Sequence, residues 1–269
     1  MNVIIVGGGL FGSIAARLIR ARGGVVTVID DMREEAGSLA AGCVIRPSWA
    51  SRMHKKQIDS ALRILDEFYG LQEIEFVFNS FKSVTCMHVN PLDILGSPVI
   101  RGTVISVRDE GKSVVVVLRG GTELRALYVI VAAGIWTELL VPHVKQSGGW
   151  GWSFRTELID KPFISVWAPY RQVVGFNMSD GLGWVGDGTS LLFNKLTEVR
   201  KMQSESRCSR RANAAIISSR VGVRPFSRTR LNSPCILEKR GRIIVSTGGG
   251  KNGTLAAAWG AQNLMEMIE

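Results

Sequence analysis

"NVIIVGGGLFGSIAARLIRARGGVVTVIDD", residues 2–31, decides the fold. Residues 2–6 form an apolar, largely β-branched run, the pattern of a parallel strand buried on both faces. Gly7, Gly9 and Gly12 follow in G-x-G-x-x-G spacing, with Leu10 and Phe11 inside it, and a helical pattern covers 13–22. Gly23 and Gly24 stop that helix, residues 25–29 form a second strand, and Asp30 and Asp31 follow it. Each spacing has a mechanical reason. Gly7 permits a tight turn, Gly9 lets the backbone approach a pyrophosphate, and Gly12 lets helix and strand pack closely. The helix N-terminus favours phosphate charge, and Asp30, 18 residues after Gly12, can accept hydrogen bonds from a ribose. Strand, glycines, helix, strand and acid in this order predict a dinucleotide-binding βαβ unit.

Three stretches further along extend the pattern. "GSLAAGCVIRP", residues 37–47, is rich in small residues, so its backbone can lie against a bulky ligand. "RALYVIVAAGIWTELL", residues 125–140, is an apolar strand that runs into Ala132, Ala133, Gly134 and Trp136. "GRIIVSTGGGKNGTLAAAWGAQNLMEMI", residues 241–268, is again strand, glycine-rich loop and helix, aiming a second helix N-terminus at the same ligand. Glycine-rich turns at both ends of the chain imply that the two ends fold back onto one extended cofactor.

Taken in order, these motifs resemble the FAD-dependent D-amino acid oxidase and glycine oxidase family. The resemblance rests on Gly7, Gly9 and Gly12 with Asp30, on Ser38 to Gly42, on Ala132 to Trp136, on Gly222-Val223-Arg224-Pro225 and on Thr247 to Ala256. One departure is Gly249, where relatives often carry His. The resemblance implies an α/β fold: a Rossmann-like FAD-binding domain over 1–80, 99–143 and 226–269, interleaved with a smaller β-rich substrate domain over 81–98 and 144–225. It implies FAD contacts from Gly7, Gly9, Leu10, Phe11, Gly12, Asp30, Asp31, Ser38, Ala41, Gly42, Val104, Ala133, Gly134, Trp136, Gly249, Gly250, Lys251, Asn252, Gly253 and Thr254. It also implies that flavin takes a hydride from the substrate α-carbon, leaving an imine that water hydrolyses, while the protein supplies binding and electrostatics. Arg224 would hold the substrate carboxylate in a bidentate pair, and Lys251 would stand beside the flavin ring.

Composition sets the remaining bounds. Hydrophobic residues make up 46% and charged residues 21% of 269, an ordinary globular balance. No apolar run reaches the ~18 residues of a membrane helix, and the N-terminus lacks a signal-peptide pattern, so no membrane partner and a cytoplasmic location are expected. Cys43, Cys86, Cys208 and Cys235 are scattered without a C-x-x-C pair, and His54, His88 and His143 lie far apart, so no metal site is expected.

The net charge of +10 is concentrated in one window. Between residues 195 and 230 ten basic residues face only Glu198 and Glu205, and "RVGVRPFSRTR", residues 220–230, holds four arginines without an acid. A helix expected over 196–217 carries Arg207, Arg210 and Arg211, and Arg220, Arg228 and Arg230 follow it. A free amino acid needs one carboxylate anchor, whereas a polyanion uses such a field. The resemblance offers a precedent in oxidases acting on base-linked glycine in tRNA and in hypermodified viral DNA. The expected substrate is therefore a glycine-type amine on a pyrimidine of DNA or RNA, converted to the aminomethyl base with release of glyoxylate. Arg207, Arg210, Arg211, Arg220, Arg228 and Arg230 would then contact nucleic acid. The alternatives are an oxidase or dehydrogenase of free glycine, sarcosine or D-amino acids, and a non-catalytic flavin-binding subunit.

Overall fold

In the computed structural model of the chain, Asn2–Val6 alternates between two buried layers. Val3 and Ile5 face a helical layer, while Ile4 and Val6 face a small antiparallel sheet. The structure describes every residue except 52, 80–81, 97, 169–170, 189–190, 193–196, 229–232 and 269. The strand lies inside a six-stranded sheet whose order is Ile236–Arg240, Ile243–Thr247, Tyr128–Val131, Asn2–Val6, Val25–Asp30 and Ile100–Arg101. All neighbours are parallel except the first pair. This is the α/β architecture expected from residues 2–31, and burial on both faces explains the unbroken apolar runs.

Helix Leu10–Ala21 follows the first strand and buries Leu10, Ile14 and Leu18, spaced four apart, against the sheet and against helix Gly253–Ile268. It starts three residues earlier than the periodicity predicts, directly after Gly9. On the opposite face, Val114 and Val116 of a three-stranded sheet (Val104–Asp109, Val114–Leu118, Glu123–Ala126) pack on Val129 and Val131.

A nine-stranded mixed sheet forms the second layer system. Its path runs Leu191–Leu192, Gln146–Thr156, Gly183–Asp187, Arg171–Asn177, Phe163–Ala168, Gln72–Phe78, Lys82–His88 and Val44–Ile45, and Ile216–Ser227 pairs with Gln146–Thr156. The two sheets divide the chain differently from the expected boundaries. A break at 80 falls inside the hairpin of Gln72–Phe78 with Lys82–His88, and a break at 225 falls inside strand Ile216–Ser227.

Helix Glu198–Ala212 lies on one face of this sheet through Cys208 and Ala212, against Phe154, Val173 and Val185. The helix is shorter than the expected 196–217, whose first residue lies outside those described. Asn213 adopts a left-handed conformation (φ 49°) and ends it, and the β-branched pair Ile216 and Ile217 opens the long strand instead. The four cysteines are buried and unpaired. Among the described residues no helix is long and apolar enough to cross a membrane.

Candidate active site

The six-stranded sheet and the nine-stranded sheet meet around an open cavity of about 460 Å³. Gly7, at φ 106° in a region closed to other L-residues, turns the first strand into helix Leu10–Ala21. A Cβ on Gly7 would overlap the Ala132 carbonyl, and one on Gly9 would lie 2.7 Å from Ser38 Oγ. Gly9 is the helix N-cap and offers no side chain to it, while the Leu10 N–H donates to Ser38 Oγ at 2.9 Å. The helix therefore presents its N-terminal backbone to the cavity, and only glycine fits beneath an approaching pyrophosphate. That cradle fits FAD.

Asp30 also lines the cavity. Its two carboxylate oxygens accept from the N–H groups of Gly8 and Met32, each at 2.5 Å. Asp31 pairs with Arg33 at 2.6 Å, and the Arg33 guanidinium lies 4.6 Å from the Trp136 ring centre. At the other end Gly250–Asn252 forms a single helical turn before Gly253–Ile268, and the Asn252 amide donates to the Trp49 carbonyl at 3.5 Å. Cys43 lines the wall beside Thr254, and burial pushes its thiol up to about 11.

Of the residues expected around the cofactor, all but Gly12 lie in this wall, Val104 and Thr254 included. Gly12 sits behind it. Its Cβ would overlap the Gly7 carbonyl oxygen, so its role is to seat the helix on the strand. Gly249 is explained by volume, because a Cβ there would come within 2.9 Å of Phe11 Cζ and of Ala256 Cβ. Phe11 fills the space that a side chain at 249 would take.

Arg224 reaches the cavity from strand Ile216–Ser227, where it pairs with Gly149. Its guanidinium lies over Gly151, whose Cβ would be 3.2 Å from Nη1. Burial holds its pKa below the usual arginine value, with a smaller opposing pull from the Asp187 carboxylate. An isolated antiparallel bridge between Phe226 and Gly249 ties this strand to the loop that carries Lys251. Lys251, more exposed than Arg224, is held below the ordinary lysine value first by partial burial and then by Arg224. Two cations thus converge on one end of the cavity, an arrangement suited to an anionic ligand.

The basic window is divided. Arg207 donates to Asp187 at 2.8 Å, and Ser204 Oγ donates to the same buried carboxylate at 2.7 Å. Arg207 therefore fastens the helix to the sheet, a contact that nothing in the charge count foretells. Arg210 and Arg211 are exposed on that helix, on the face of the sheet away from the cavity. Arg220 is exposed and reaches the Leu39 carbonyl at 3.4 Å, and Arg228 is exposed just past the strand. Arg230 lies outside the described residues. The sequence patterns left Gln172, Trp184, Gly186 and Gly188 unmarked, although all four line the cavity. Their signal is the period-two spacing of glycines at 149, 151, 186 and 188, which gains meaning only once the strands are paired.

Comparisons with known proteins agree with this geometry. The model of the family described as "FAD dependent oxidoreductase" matches residues 94–267, well over half of the chain. The fold is similar to glycine oxidase from Geobacillus kaustophilus (TM-score 0.74, 16% identity, covering 99% of this chain and 94% of that one). It is also similar to glycine oxidase from Bacillus cereus ATCC 14579 (TM-score 0.72, 17% identity, 99% and 94%). Iminodiacetate oxidase from Chelativorans sp. BNC1 aligns with TM-score 0.72 at 15% identity, covering 99% and 95%. No curated protein sequence matches the chain. The family match contains Arg224 and the second glycine loop, and the cradle of Gly7 and Gly9 lies outside it with the right shape for the same cofactor. The chain belongs to the FAD-dependent oxidoreductase family.

Proposed function

We propose that the chain oxidises the C–N bond of a glycine-type amine whose carboxylate is held by Arg224. The placement of that guanidinium carries the reading: it is half-buried at the end of the FAD cavity, over a glycine that leaves room for it. Gly7, Gly9, Leu10 and Phe11 would hold the pyrophosphate, Asp30 the ribose, and the turn Gly250–Asn252 with Lys251 the ring end. FAD supplies the two-electron acceptor. Arg224 pairs both carboxylate oxygens with a planar fork and so fixes the α-carbon. The substrate loses a hydride from that carbon and a proton from nitrogen, giving an imine. Water adds to the imine carbon, and the C–N bond breaks to release glyoxylate and the amine. The neighbours named glycine oxidase and iminodiacetate oxidase support the amine class by those names.

Charge placement favours a form of this amine carried on a pyrimidine of DNA or RNA. Arg220 and Arg228 stand four residues before and after Arg224, about 13 Å away in each direction along an extended backbone. They would hold phosphates flanking the target, and Arg210 and Arg211 those of more distant nucleotides. A base inside a duplex would have to be extruded to reach the cavity.

One experiment tests both levels. The FAD-loaded protein is mixed anaerobically with glycine, sarcosine, D-alanine and an oligonucleotide bearing a glycyl-modified pyrimidine, and flavin bleaching is followed. Bleaching by none of them sinks the amine reading. Bleaching by free amino acids alone, with oligonucleotide binding insensitive to salt, sinks the base-linked reading. A log–log salt slope of about −4, for about four phosphate contacts, together with weaker binding in Arg210→Glu/Arg211→Glu, supports it.

A further inference from the structure

Around Arg224 the cavity face of the nine-stranded sheet is paved with glycine. Side chains on a strand ordinarily stand up from the sheet, each beside its neighbours' Cβ atoms. Here two of them lie where a neighbour's Cβ would be, and a third lies close over such a position. The Arg224 guanidinium lies over Gly151, with Nη1 3.2 Å from the position of a Cβ. The Trp184 indole overlaps the Cβ position of Gly186, and the Gln172 side chain lies over Gly188, its Cγ 2.6 Å from that position. The register sets these pairs side by side. Ser153 pairs with Gly186, Gly186 with Val174, and the Gly188 N–H donates to the Gln172 carbonyl at 2.8 Å. The benzo edge of Trp184 also reaches Gly42 in the opposite wall, 2.7 Å from its Cβ position, and the tilted ring of Phe176 backs it at 5.4 Å.

Every one of the three side chains ends in a planar group: guanidinium, indole and amide. Lying down over glycines, they make a low, flat wall continuous with the carboxylate anchor. We infer that Arg224, Trp184 and Gln172 form a tray that selects amines whose nitrogen carries a flat aromatic or heteroaromatic ring. The carboxymethyl arm goes to Arg224 and the ring lies over Trp184. Gln172 offers a donor beside an acceptor, which suits a ring with an N–H next to a carbonyl. This inference rests on the oxidation reading, and it does not depend on nucleic acid.

The test compares ligands equal in size and different in flatness, using the FAD-loaded protein. N-benzylglycine and N-(cyclohexylmethyl)glycine are compared as substrates, with sarcosine as the reference. Benzoate and cyclohexanecarboxylate are compared as ligands by their perturbation of the flavin spectrum. The tray predicts that the flat member of each pair is favoured by roughly tenfold or more, the scale of one aromatic stacking contact. In Trp184→Ala both ratios fall toward one while the flavin absorbance is retained. Equal treatment of flat and puckered ligands overturns the inference, as does a flat preference that survives Trp184→Ala. Loss of FAD in Trp184→Ala also overturns it, because the indole would then belong to the cofactor's cradle. If no amine, sarcosine included, bleaches the flavin, the oxidation reading fails, and the two carboxylate ligands still decide the tray.

Discussion

Replacing Arg224 by lysine keeps a positive charge at the end of the cavity but removes the planar fork. The guanidinium reaches past its own pairing partner Gly149 to lie over Gly151, so a shorter, single-headed ammonium leaves the far part of that space empty. A charge-assisted hydrogen bond contributes about 1.5–3 kcal/mol, and lysine can keep at most one of the two that a carboxylate would receive. The expected loss in kcat/KM for sarcosine is therefore about 10- to 100-fold for Arg224→Lys. It is about 1,000-fold for Arg224→Met, which loses both bonds and the charge. FAD content should be unchanged, since Arg224 belongs to the nine-stranded sheet and the pyrophosphate cradle to the other. Rates come from anaerobic flavin reduction at several substrate concentrations, and FAD content from absorbance. A milder companion is Gly151→Ala, whose Cβ would press on Nη1 from 3.2 Å. It should shift the fork by a few tenths of an ångström and raise KM more than it lowers kcat. If Arg224→Lys turns over within about threefold of the parent with full FAD, Arg224 does not hold the carboxylate.

Three further outcomes are expected. Gly12→Ala puts a methyl group into the Gly7 carbonyl, so the helix must lift off its strand. The protein should lose flavin absorbance and melt at lower temperature. Gly249→His should destabilise the fold by about 1–3 kcal/mol in urea unfolding, because it crowds Phe11 and Ala256. Adding Phe11→Ala should recover part of that loss, and strict additivity would refute the shared-space account. His88 is buried against Phe176, and burial lowers its pKa from 6.5 to about 4. The folded state therefore favours neutral His88, so stability is fully present above pH 6.5 and is lost as pH falls toward 4. The loss is about 3 kcal/mol, and His88→Phe should flatten that part of the urea-midpoint profile.

How much of this was legible in the sequence depends on the range over which the chain signals. Residues 2–31 announce their unit because strand, turn and helix are each set by neighbours a few positions away, although the helix starts at Leu10, inside the glycine motif, where side-chain periodicity gives no signal. The end of the basic helix is not legible in the same way. Nothing as strong as a proline or glycine follows Ala212, and a single left-handed Asn213 with the pairing of Ile216–Ser227 to Gln146–Thr156 decides where it stops. The hairpin Gln72–Phe78 with Lys82–His88, which spans the expected division at residue 80, joins the second sheet through Phe163–Ala168, far along the chain. Charge was legible as a sum and illegible in its parts. The ten basic residues of 195–230 look alike in sequence, yet Arg207 spends its charge on Asp187 and Arg224 lies over a glycine in the cavity.

The glycines make the same point from the other side. Gly7 and Gly9 are readable from sequence because the turn they make and the cavity wall they line belong to the same short stretch of chain. Gly151 and Gly186 lie in strands, where glycine ordinarily reads as a weakness, and Gly188 directly follows one. Their purpose belongs to side chains delivered by other positions: Arg224 across the strand pair, Trp184 two residues back, and Gln172 on the neighbouring strand. A bare position in a strand is therefore informative only with its register. Once the register is known, the three bare positions around Arg224 mark where the sheet has been lowered to admit a ligand, and the planar groups lying over them say what shape that ligand has.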